Sequence, residues 1–383
     1  MRNMNLTRWT LSLLIAFIIQ NNALAATMPA PAAPKVSAKS YILQDYDSGN
    51  VLAELDARKR IEPASITKLM SAYVIFAEIE AGRLKLTDQV IISKRAWRMP
   101  GSRTFVEVNS KVPVDVLLKG IIVQSGNDAT VALAEHVAGS EDTFVSLMNQ
   151  YAQKLGMTDT HFTNSTGLPH PEHYSTAFDI AKLSTAVIRE HPKFYSYYSI
   201  KQFIYNDIPQ YNRNKLLWRD KSVDGIKTGH TDSAGYCLAS SAKRDGMRLI
   251  AVVLGDKSEE ARASSSTALL NYGFRFFESR QLYKAGQTLK DVRVWKGVQQ
   301  NLALGIDKDL QISFPAGSYK KLSATIDLQH EITAPVKKGQ ALGTLNISLD
   351  GAIISEVPLV ALQDIEEGGI WRRSVDGIKL WFK

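Results

Sequence analysis

The sequence has little cysteine: Cys237 is the single one among 383 residues, so no disulfide can form within the chain. It lies in an apolar, strand-like run, where we expect a small buried side chain rather than a catalytic thiol. The seven histidines form no His-Glu-x-x-His motif and no cluster with cysteine. A metal mechanism therefore has no support, and no cofactor is expected.

Long apolar runs are also scarce. The run at 11–19 is shorter than the roughly 20 residues that a membrane-spanning helix needs. Two arginines precede it, and Ala23-Leu24-Ala25 resembles a cleavage site. The sequence thus predicts a signal peptide at 1–25; an uncleaved membrane anchor is the alternative. Either way the bulk of the protein lies outside the cytoplasm.

Charge is not strongly biased. With 46 Lys and Arg against 38 Asp and Glu, the net charge is +8. This surplus is compatible with nucleic acid, an anionic membrane or an acidic polymer, and composition alone does not choose among them. The basic residues are dispersed and no aromatic-basic module stands out, which argues against nucleic acid. The length and the 45% hydrophobic content predict two or three domains with large cores.

After a leader at 26–38 that is rich in Ala and Pro, residues 39–279 mix helical and strand patterns. They predict an α/β (mixed) domain, which opens with a hairpin. The expected helices cover 65–80, 114–124, 128–137, 143–155, 177–190 and 259–277, and the expected strands include 41–43, 51–53, 235–242 and 248–254.

The pattern of apolar residues changes near residue 280. Residues 280–366 are short apolar runs broken by Gly, Pro and Asp, which predicts a small all-β sandwich domain with strands at 292–295, 322–326 and 341–349. Nothing in this segment has a catalytic pattern.

Residues 367–383 predict an amphipathic helix. Apolar Trp371, Val375, Ile378 and Phe382 share one face, and Arg372, Arg373, Lys379 and Lys383 point toward the other. Such a basic, aromatic tail is typical of a helix that lies on a membrane surface. The alternative is an ordinary terminal helix docked on the β domain.

Three short motifs occur in order: Ser65-Ile66-Thr67-Lys68, Ser125-Gly126-Asn127 and Lys227-Thr228-Gly229. Singly, the first two are weak signals, because Ser-x-x-Lys recurs at 240–243 and 318–321, and Ser-Gly-Asn recurs at 48–50. We interpret those extra copies as structural. The first motif differs from its copies in its context, since it alone opens a strongly apolar helix.

A serine at a helix N-terminus meets unpaired backbone N–H groups and the positive end of the helix dipole, which favour a developing negative charge. Lys68 lies one turn after Ser65 on the same helix face. If burial and neighbouring cations lower the pKa of Lys68, its amine can serve as the base for the Ser65 hydroxyl.

The second and third motifs supply binding groups. Ser125 could relay a proton and Asn127 could hold a substrate amide, although either could instead cap the following helix. Lys227-Thr228-Gly229 is predicted to precede a strand, where Lys227 and Thr228 would contact a carboxylate and Gly229 would let a ligand approach. The amide of His230 would complete an oxyanion hole with that of Ser65.

This set of motifs resembles the penicillin-binding proteins and class A β-lactamases. The chain looks most like the low-molecular-mass D-alanyl-D-alanine carboxypeptidases, in which a signal, a catalytic domain, a β domain and an amphipathic tail follow in the same order. By this resemblance Ser65 is the acylated nucleophile, Lys68 its base and Ser125 a second catalytic residue. The substrate-binding residues implied are Asn127, Lys227, Thr228, Gly229, His230 and Arg262, with Arg213 a weaker candidate.

The resemblance implies removal of the terminal D-Ala from peptidoglycan pentapeptides, with penicillins and other β-lactams as covalent inhibitors. It implies a role in cross-linking and cell shape, and a location on the periplasmic side of the inner membrane. A β-lactamase is disfavoured because no Glu-x-x-Leu-Asn motif lies between the second and third motifs. An endopeptidase that uses the same motifs, or a wall-binding protein with a vestigial site, remains an alternative.

Overall fold

The computed structural model describes residues 30–328 and 331–382, so the predicted signal peptide lies outside the described residues. The α-helices are α1 Thr67–Glu80, α2 Lys94–Trp97, α3 Val114–Lys119, α4 Asn127–Ala138, α5 Glu141–Lys154, α6 Ala177–Glu190, α7 Pro192–Tyr195, α8 Leu216–Arg219, α9 Glu259–Phe276 and α10 Ile370–Trp381. The strands are β1 Ser40–Asp45, β2 Val51–Leu55, β3 Gln89–Ile91, β4 Lys111–Pro113, β5 Gln202–Tyr205, β6 Ile208–Tyr211, β7 Val223–Thr231, β8 Gly235–Arg244, β9 Met247–Asp256, β10 Phe277–Tyr283, β11 Lys290–Arg293, β12 Asn301–Gly305, β13 Leu310–Pro315, β14 Leu322–Leu328, β15 Ala341–Leu349 and β16 Ala352–Ala361.

An antiparallel sheet in the order β2-β1-β9-β8-β7 forms the centre of the first domain. Its middle strand β9 is an apolar run that is buried along almost its whole length, because helices cover both faces of the sheet. Helices α1, α4, α5 and α6 build the larger core on one face, and α9 covers the other. On α9, Gly273 has no side chain, which lets the helix lie directly against Leu249.

Helix α1 is the central helix of the domain. Its residues from Thr67 to Phe76 are all buried, so it lacks the polar face of a surface helix. A 3-10 turn, Ala64–Ile66, leads into α1, and Gly82 at φ +74° follows its end. The first domain therefore places Ser65 at the entrance of a helix surrounded by core.

The second domain is built from strands. The sheet β11-β12-β16-β15-β14 accompanies the pair β10-β13. On β15, Leu345 and Ile347 are buried at alternate positions, as a sheet with one covered face requires. Strand β10, which begins at Phe277, pairs with β13 in this domain. The predicted fold class, a mixed α/β domain followed by a β domain and a terminal helix, is confirmed.

Helix α10 packs on the β domain through its polar side while its apolar side faces outward. Trp371 and Trp381 are each 86% exposed, and Ile378 is also exposed. Within the described residues, no helix has both the length and the apolar character required to cross a membrane.

Candidate active site

Ser65 and Lys68 lie at the junction of the 3-10 turn and α1. Lys68 is buried, and its Nζ donates to Ser65 Oγ at 2.9 Å and to the Thr166 carbonyl at 2.6 Å. Burial lowers the pKa of Lys68 to about 7; the charge of Arg213 also lowers it, and that of Asp128 opposes the shift. Near neutral pH, a substantial share of Lys68 is thus an uncharged amine in contact with the Ser65 hydroxyl.

Ser125 lies at the end of a π-helical turn, Gly120–Gln124, in a left-handed conformation with φ +65°. Non-glycine residues rarely adopt this conformation, and it is often found at functional sites. Ser125 Oγ accepts a 2.9 Å hydrogen bond from Nζ of Lys227, which is itself buried. Burial holds the pKa of Lys227 well below its usual value, and the charges of Lys68, Arg213 and Arg262 lower it further.

Helix α4 begins at Asn127, with Gly126 at the N-cap position and no side-chain capping hydrogen bond. The interpretation of Ser125 or Asn127 as a helix cap is therefore wrong. Instead, Asn127 Nδ2 donates to the Pro100 carbonyl at 2.6 Å, and its buried Oδ1 has no partner among the described residues. Asn127 also lines the adjoining cavity, so a ligand there would lie close to this side chain.

The loop at Thr104 and Phe105, which lies against the second motif, is held by hydrogen bonds to Asp128. The Asp128 carboxylate accepts from the backbone N–H groups of Thr104 at 2.8 Å and Phe105 at 2.9 Å. Gly126 lies under the same loop, where a Cβ would overlap Thr104 Oγ1. The middle position of this motif thus has room for glycine alone, without a shift of the loop.

Lys227, Thr228 and Gly229 lie within β7, the edge strand of the sheet. The strand predicted to follow them is present as β8, but the prediction missed that the motif itself lies in a strand. The motif itself pairs with β8. A Cβ on Gly229 would stand 2.9 Å from the Pro63 carbonyl and 3.1 Å from Ser65 N. Glycine therefore lets β7 pass close to the Ser65 turn, where the backbone amides of both segments adjoin one cavity.

His230 lines the cavity, and its ring contacts an aromatic neighbour. The ring stacks on Tyr236 with 3.9 Å between centroids. Arg262, on α9, is buried and donates to the Gly229 carbonyl at 3.1 Å. It also lies 3.8 Å from Glu259. Arg262 therefore supports the third motif and brings positive charge to the same edge.

One cavity of about 420 Å³ brings the motifs together. Its lining includes the predicted residues Ser65, Ser125, Asn127, Thr228, Gly229, His230 and Arg262, together with Arg213. Lys68 and Lys227 lie below the lining, each hydrogen-bonded to one of its serines. Segments far apart in the chain thus meet at one site.

The sequence prediction missed the wall formed by Thr166, Gly167 and Leu168. Asn164 Oδ1 holds this loop by accepting from the N–H groups of Thr166 at 3.1 Å and Gly167 at 2.7 Å. Gly167, at φ +84°, lies against the Ala64 carbonyl with no room for a Cβ. The polar run Asn-Ser-Thr-Gly signals a turn, but nothing local shows that the turn reaches Lys68.

Known proteins resemble both domains. A profile of the D-alanyl-D-alanine carboxypeptidase family matches residues 27–258, and a profile of the C-terminal domain of penicillin-binding protein 5 matches residues 277–367. D-alanyl-D-alanine carboxypeptidase DacA of Escherichia coli is 46% identical over 360 residues, covering 92% of this chain and 89% of the relative. For DacC of the same organism, the identity is 43% over 374 residues, with 96% and 93% covered.

A solved structure extends this similarity to three dimensions. Penicillin-binding protein 5 from Haemophilus influenzae superposes with a TM-score of 0.86 at 40% sequence identity. The superposition covers 88% of this chain and 100% of that one. The similarity therefore includes the arrangement of both domains and not only the three motifs.

Proposed function

The chain belongs to the D-alanyl-D-alanine carboxypeptidase family, and we propose that it performs this hydrolysis through an acyl-enzyme on Ser65. The observation that carries the proposal is the contact between Ser65 Oγ and a buried lysine whose pKa is lowered to about 7. Such a lysine is basic enough to accept the serine proton and sufficiently deprotonated to do so at neutral pH.

In the first step, Lys68 takes the proton of Ser65 Oγ as that oxygen bonds to the carbonyl carbon of the penultimate D-Ala. The backbone N–H groups of Ser65 and His230 receive the negative charge that develops on the carbonyl oxygen. The peptide bond to the terminal D-Ala then breaks as the proton held by Lys68 passes through Ser125 to the leaving amine, which returns Lys68 to its neutral form. Its contact with Lys227 supports this role.

In the second step, water attacks the ester carbonyl and gives its proton to Lys68. The bond to Ser65 Oγ breaks, and the serine recovers a proton as the shortened peptide leaves. Two successive steps thus replace one difficult hydrolysis, and both use the same base and the same oxyanion site.

The cations of the cleft suit a substrate that ends in a carboxylate. We assign Thr228 and Lys227 to that carboxylate, and Arg213 and Arg262, which line the same cavity, supply positive charge. Asn127 lines the cavity, and its Oδ1, which is buried and has no partner among the described residues, would accept from the amide N–H of the peptide. A terminal D-Ala offers both groups at the spacing of one residue.

The substrate we propose is the peptidoglycan pentapeptide, and β-lactams would acylate Ser65 as analogues of the D-Ala-D-Ala end. The name of the related penicillin-binding protein 5 supports this assignment. Removal of the terminal D-Ala takes away an acyl donor, so the enzyme would limit cross-linking and influence cell shape.

We further propose that the enzyme works on the periplasmic side of the inner membrane. In this proposal, residues 1–25 are removed on export, 39–279 catalyse, 280–366 form a β domain and 367–383 form the membrane anchor. The outward apolar side of α10, with two highly exposed tryptophans, supports peripheral attachment.

The catalytic proposal is tested by release of D-Ala from diacetyl-Lys-D-Ala-D-Ala, with Ser65→Ala and Lys68→Ala proteins in parallel. We expect release by the wild type, and loss in both variants with unchanged circular dichroism. A cross-linked dimer digested alongside separates this activity from an endopeptidase. Failure of the wild type to release D-Ala, despite penicillin labelling of Ser65, would contradict the proposal.

The anchor is tested separately by deletion of residues 369–383. The truncated protein should move from the membrane fraction to the soluble fraction while keeping its activity on the soluble peptide. Continued sedimentation of the truncated protein with membranes would contradict attachment through α10.

A further inference from the structure

Helix α10 is fixed to the β domain by a buried carboxylate. Asp376 is 2% exposed, although its helix otherwise lies on the surface. Its Oδ2 accepts from the backbone N–H of Lys296 at 2.8 Å and lies 3.5 Å from Nε of Arg372. Its Oδ1 lies 3.5 Å from Nη2 of Arg293. One side chain thus joins α10 to the segment that follows β11.

The chain that leads into α10 is held by the same segment. Gly368 N donates to the Lys296 carbonyl at 2.8 Å, and Val298 N donates to the Glu366 carbonyl at 2.9 Å. These backbone bonds continue, through Asp376, into the helix. No free linker therefore separates the β domain from α10 in this part of the described chain.

The position of Asp376 is hard to explain by membrane contact alone. Anionic lipids repel a carboxylate, and a helix that only lies on the bilayer gains nothing from one. Arg372 also lies against the protein, beside Asp376 and the side-chain amide of Gln300. The polar side of α10 thus serves contacts within the protein, which leaves its apolar side uncovered.

Polar contacts also join the β domain to the catalytic domain. Ser48, in the turn between β1 and β2, lies 3.0 Å from Ser313 through their Oγ atoms, and Asn50 Nδ2 donates to the Ser313 carbonyl at 3.4 Å. Asp45 Oδ1 accepts from Ser279 Oγ at 3.4 Å. These polar contacts join the β domain, and with it α10, to the catalytic domain.

We propose that the Asp376 contact makes α10 and the β domain one rigid body, so that membrane binding fixes the orientation of the whole enzyme and the height of its cleft. This inference rests on the proposed attachment through α10. A flexible tether would instead let the catalytic domain sample many heights above the lipid. Asp376 is thus a positioning residue that acts through α10, remote from the reacting atoms.

The test measures the distance between the catalytic domain and the bilayer. A fluorescent donor is placed on an exposed site by Lys59→Cys; Cys237 is fully buried and should not react. The acceptor is a rhodamine lipid in vesicles of phosphatidylethanolamine and phosphatidylglycerol. Time-resolved energy transfer then gives both the mean distance and the width of its distribution.

The variant is Asp376→Asn, and the matched control is Glu367→Gln, which removes the same charge from the exposed pair with Arg373. We expect vesicle binding by all three proteins. The wild type and the control should show one narrow distance distribution, and Asp376→Asn a clearly broader one. In solution without vesicles, the backbone amides of α10 should exchange hydrogen several-fold faster in Asp376→Asn than in the control.

The outcomes separate this inference from the proposed anchor. Failure of the wild type to bind vesicles would overturn attachment through α10, and the orientation proposal with it. Normal binding with an equally narrow distribution in Asp376→Asn would overturn the orientation proposal alone. A broad distribution in the wild type would do the same.

Discussion

The two domains differ in how they use buried charge. The catalytic domain buries many charged side chains, among them Asp45, Lys68, Asp128, Glu141, Asp179, Lys227, Asp256 and Arg262. Within residues 277–328 and 331–382, Asp376 alone is a buried charged side chain. Charged groups are costly to bury unless they are paired. The comparison teaches that the buried charges of one domain include the reacting groups, whereas the single one described in the other serves, by our proposal, orientation.

Replacing the base Lys68 should have the largest effect on activity, and it tests whether this buried group serves the reaction. Lys68→Met removes the amine from a fully buried position and fills its space with apolar atoms. We expect kcat/KM for D-Ala release to fall by about 10² to 10⁴-fold, the usual contribution of a positioned acid or base. Thermal unfolding should show a protein at least as stable as the wild type, because desolvation of a charge is relieved. Wild-type activity in this variant would rule out Lys68 as the base.

The close packing around Gly126, in the second motif, should give the next largest loss of activity when it is disturbed. Gly126→Ala would press a methyl group against Thr104 and displace the loop or Ser125. A displacement near 1 Å at a catalytic group can lower the rate by roughly 100-fold, and we expect a loss of that order in kcat/KM. The control is Gly369→Ala, just before α10, where no described atom lies within 4 Å of the added carbon. Equal activities of the two variants would contradict the steric argument.

The pH dependence of kcat/KM tests the role of Lys68 without a mutation. Since burial lowers the pKa of Lys68 to about 7, its neutral, basic form increases as the pH rises through that value. We expect kcat/KM to rise about tenfold between pH 6 and pH 8. His173 is neutral across this range because burial lowers its pKa to about 4. A flat profile between these values would contradict neutral Lys68 as the base.

An exposed ion pair should give the smallest effect. In the β domain, Lys321 Nζ lies 2.8 Å from Asp350 Oδ2, and both side chains are open to solvent. Lys321→Ala should change the free energy of unfolding by less than about 1 kcal/mol, because solvent screens such pairs. Urea unfolding measures this directly, and activity on the soluble peptide should not change. A larger loss in the free energy of unfolding would mean that exposed charge contributes more to the stability of the β domain than we expect.

Much of the fold could be predicted from local patterns. The periodicity at 177–190 gave the bounds of α6, and the alternating run at 341–349 gave those of β15. The extra Ser-x-x-Lys at 240–243 lies within β8, and the extra Ser-Gly-Asn lies in the turn after β1, so both are structural copies. The sequence around each motif therefore predicted its role better than the motif residues alone.

The parts of the site that could not be predicted depend on contacts between segments that are distant in the sequence. Lys227-Thr228-Gly229 lies in a strand, but its lysine, threonine and glycine hide the apolar alternation by which strands are recognised. Thr166 joins the site because its loop folds over α1, and no periodic signal records that approach. The lowered pKa of Lys68 likewise depends on burial by the folded chain and, after that, on the charge of Arg213, which is far away in the sequence.

The cations of the cleft also affect how substrate arrives. Arg213 and Arg262 line a concave surface, with two more basic groups beneath it and Glu259 as the acid in its described lining. A concave, positively charged surface focuses the electric field outward, and salt weakens that field over a distance of about 10 Å at 0.1 M. Anionic peptide ends should therefore be drawn toward the site before they touch it. The rate of encounter, and with it competition among enzymes for the same wall peptides, then depends on the ionic strength of the surrounding medium.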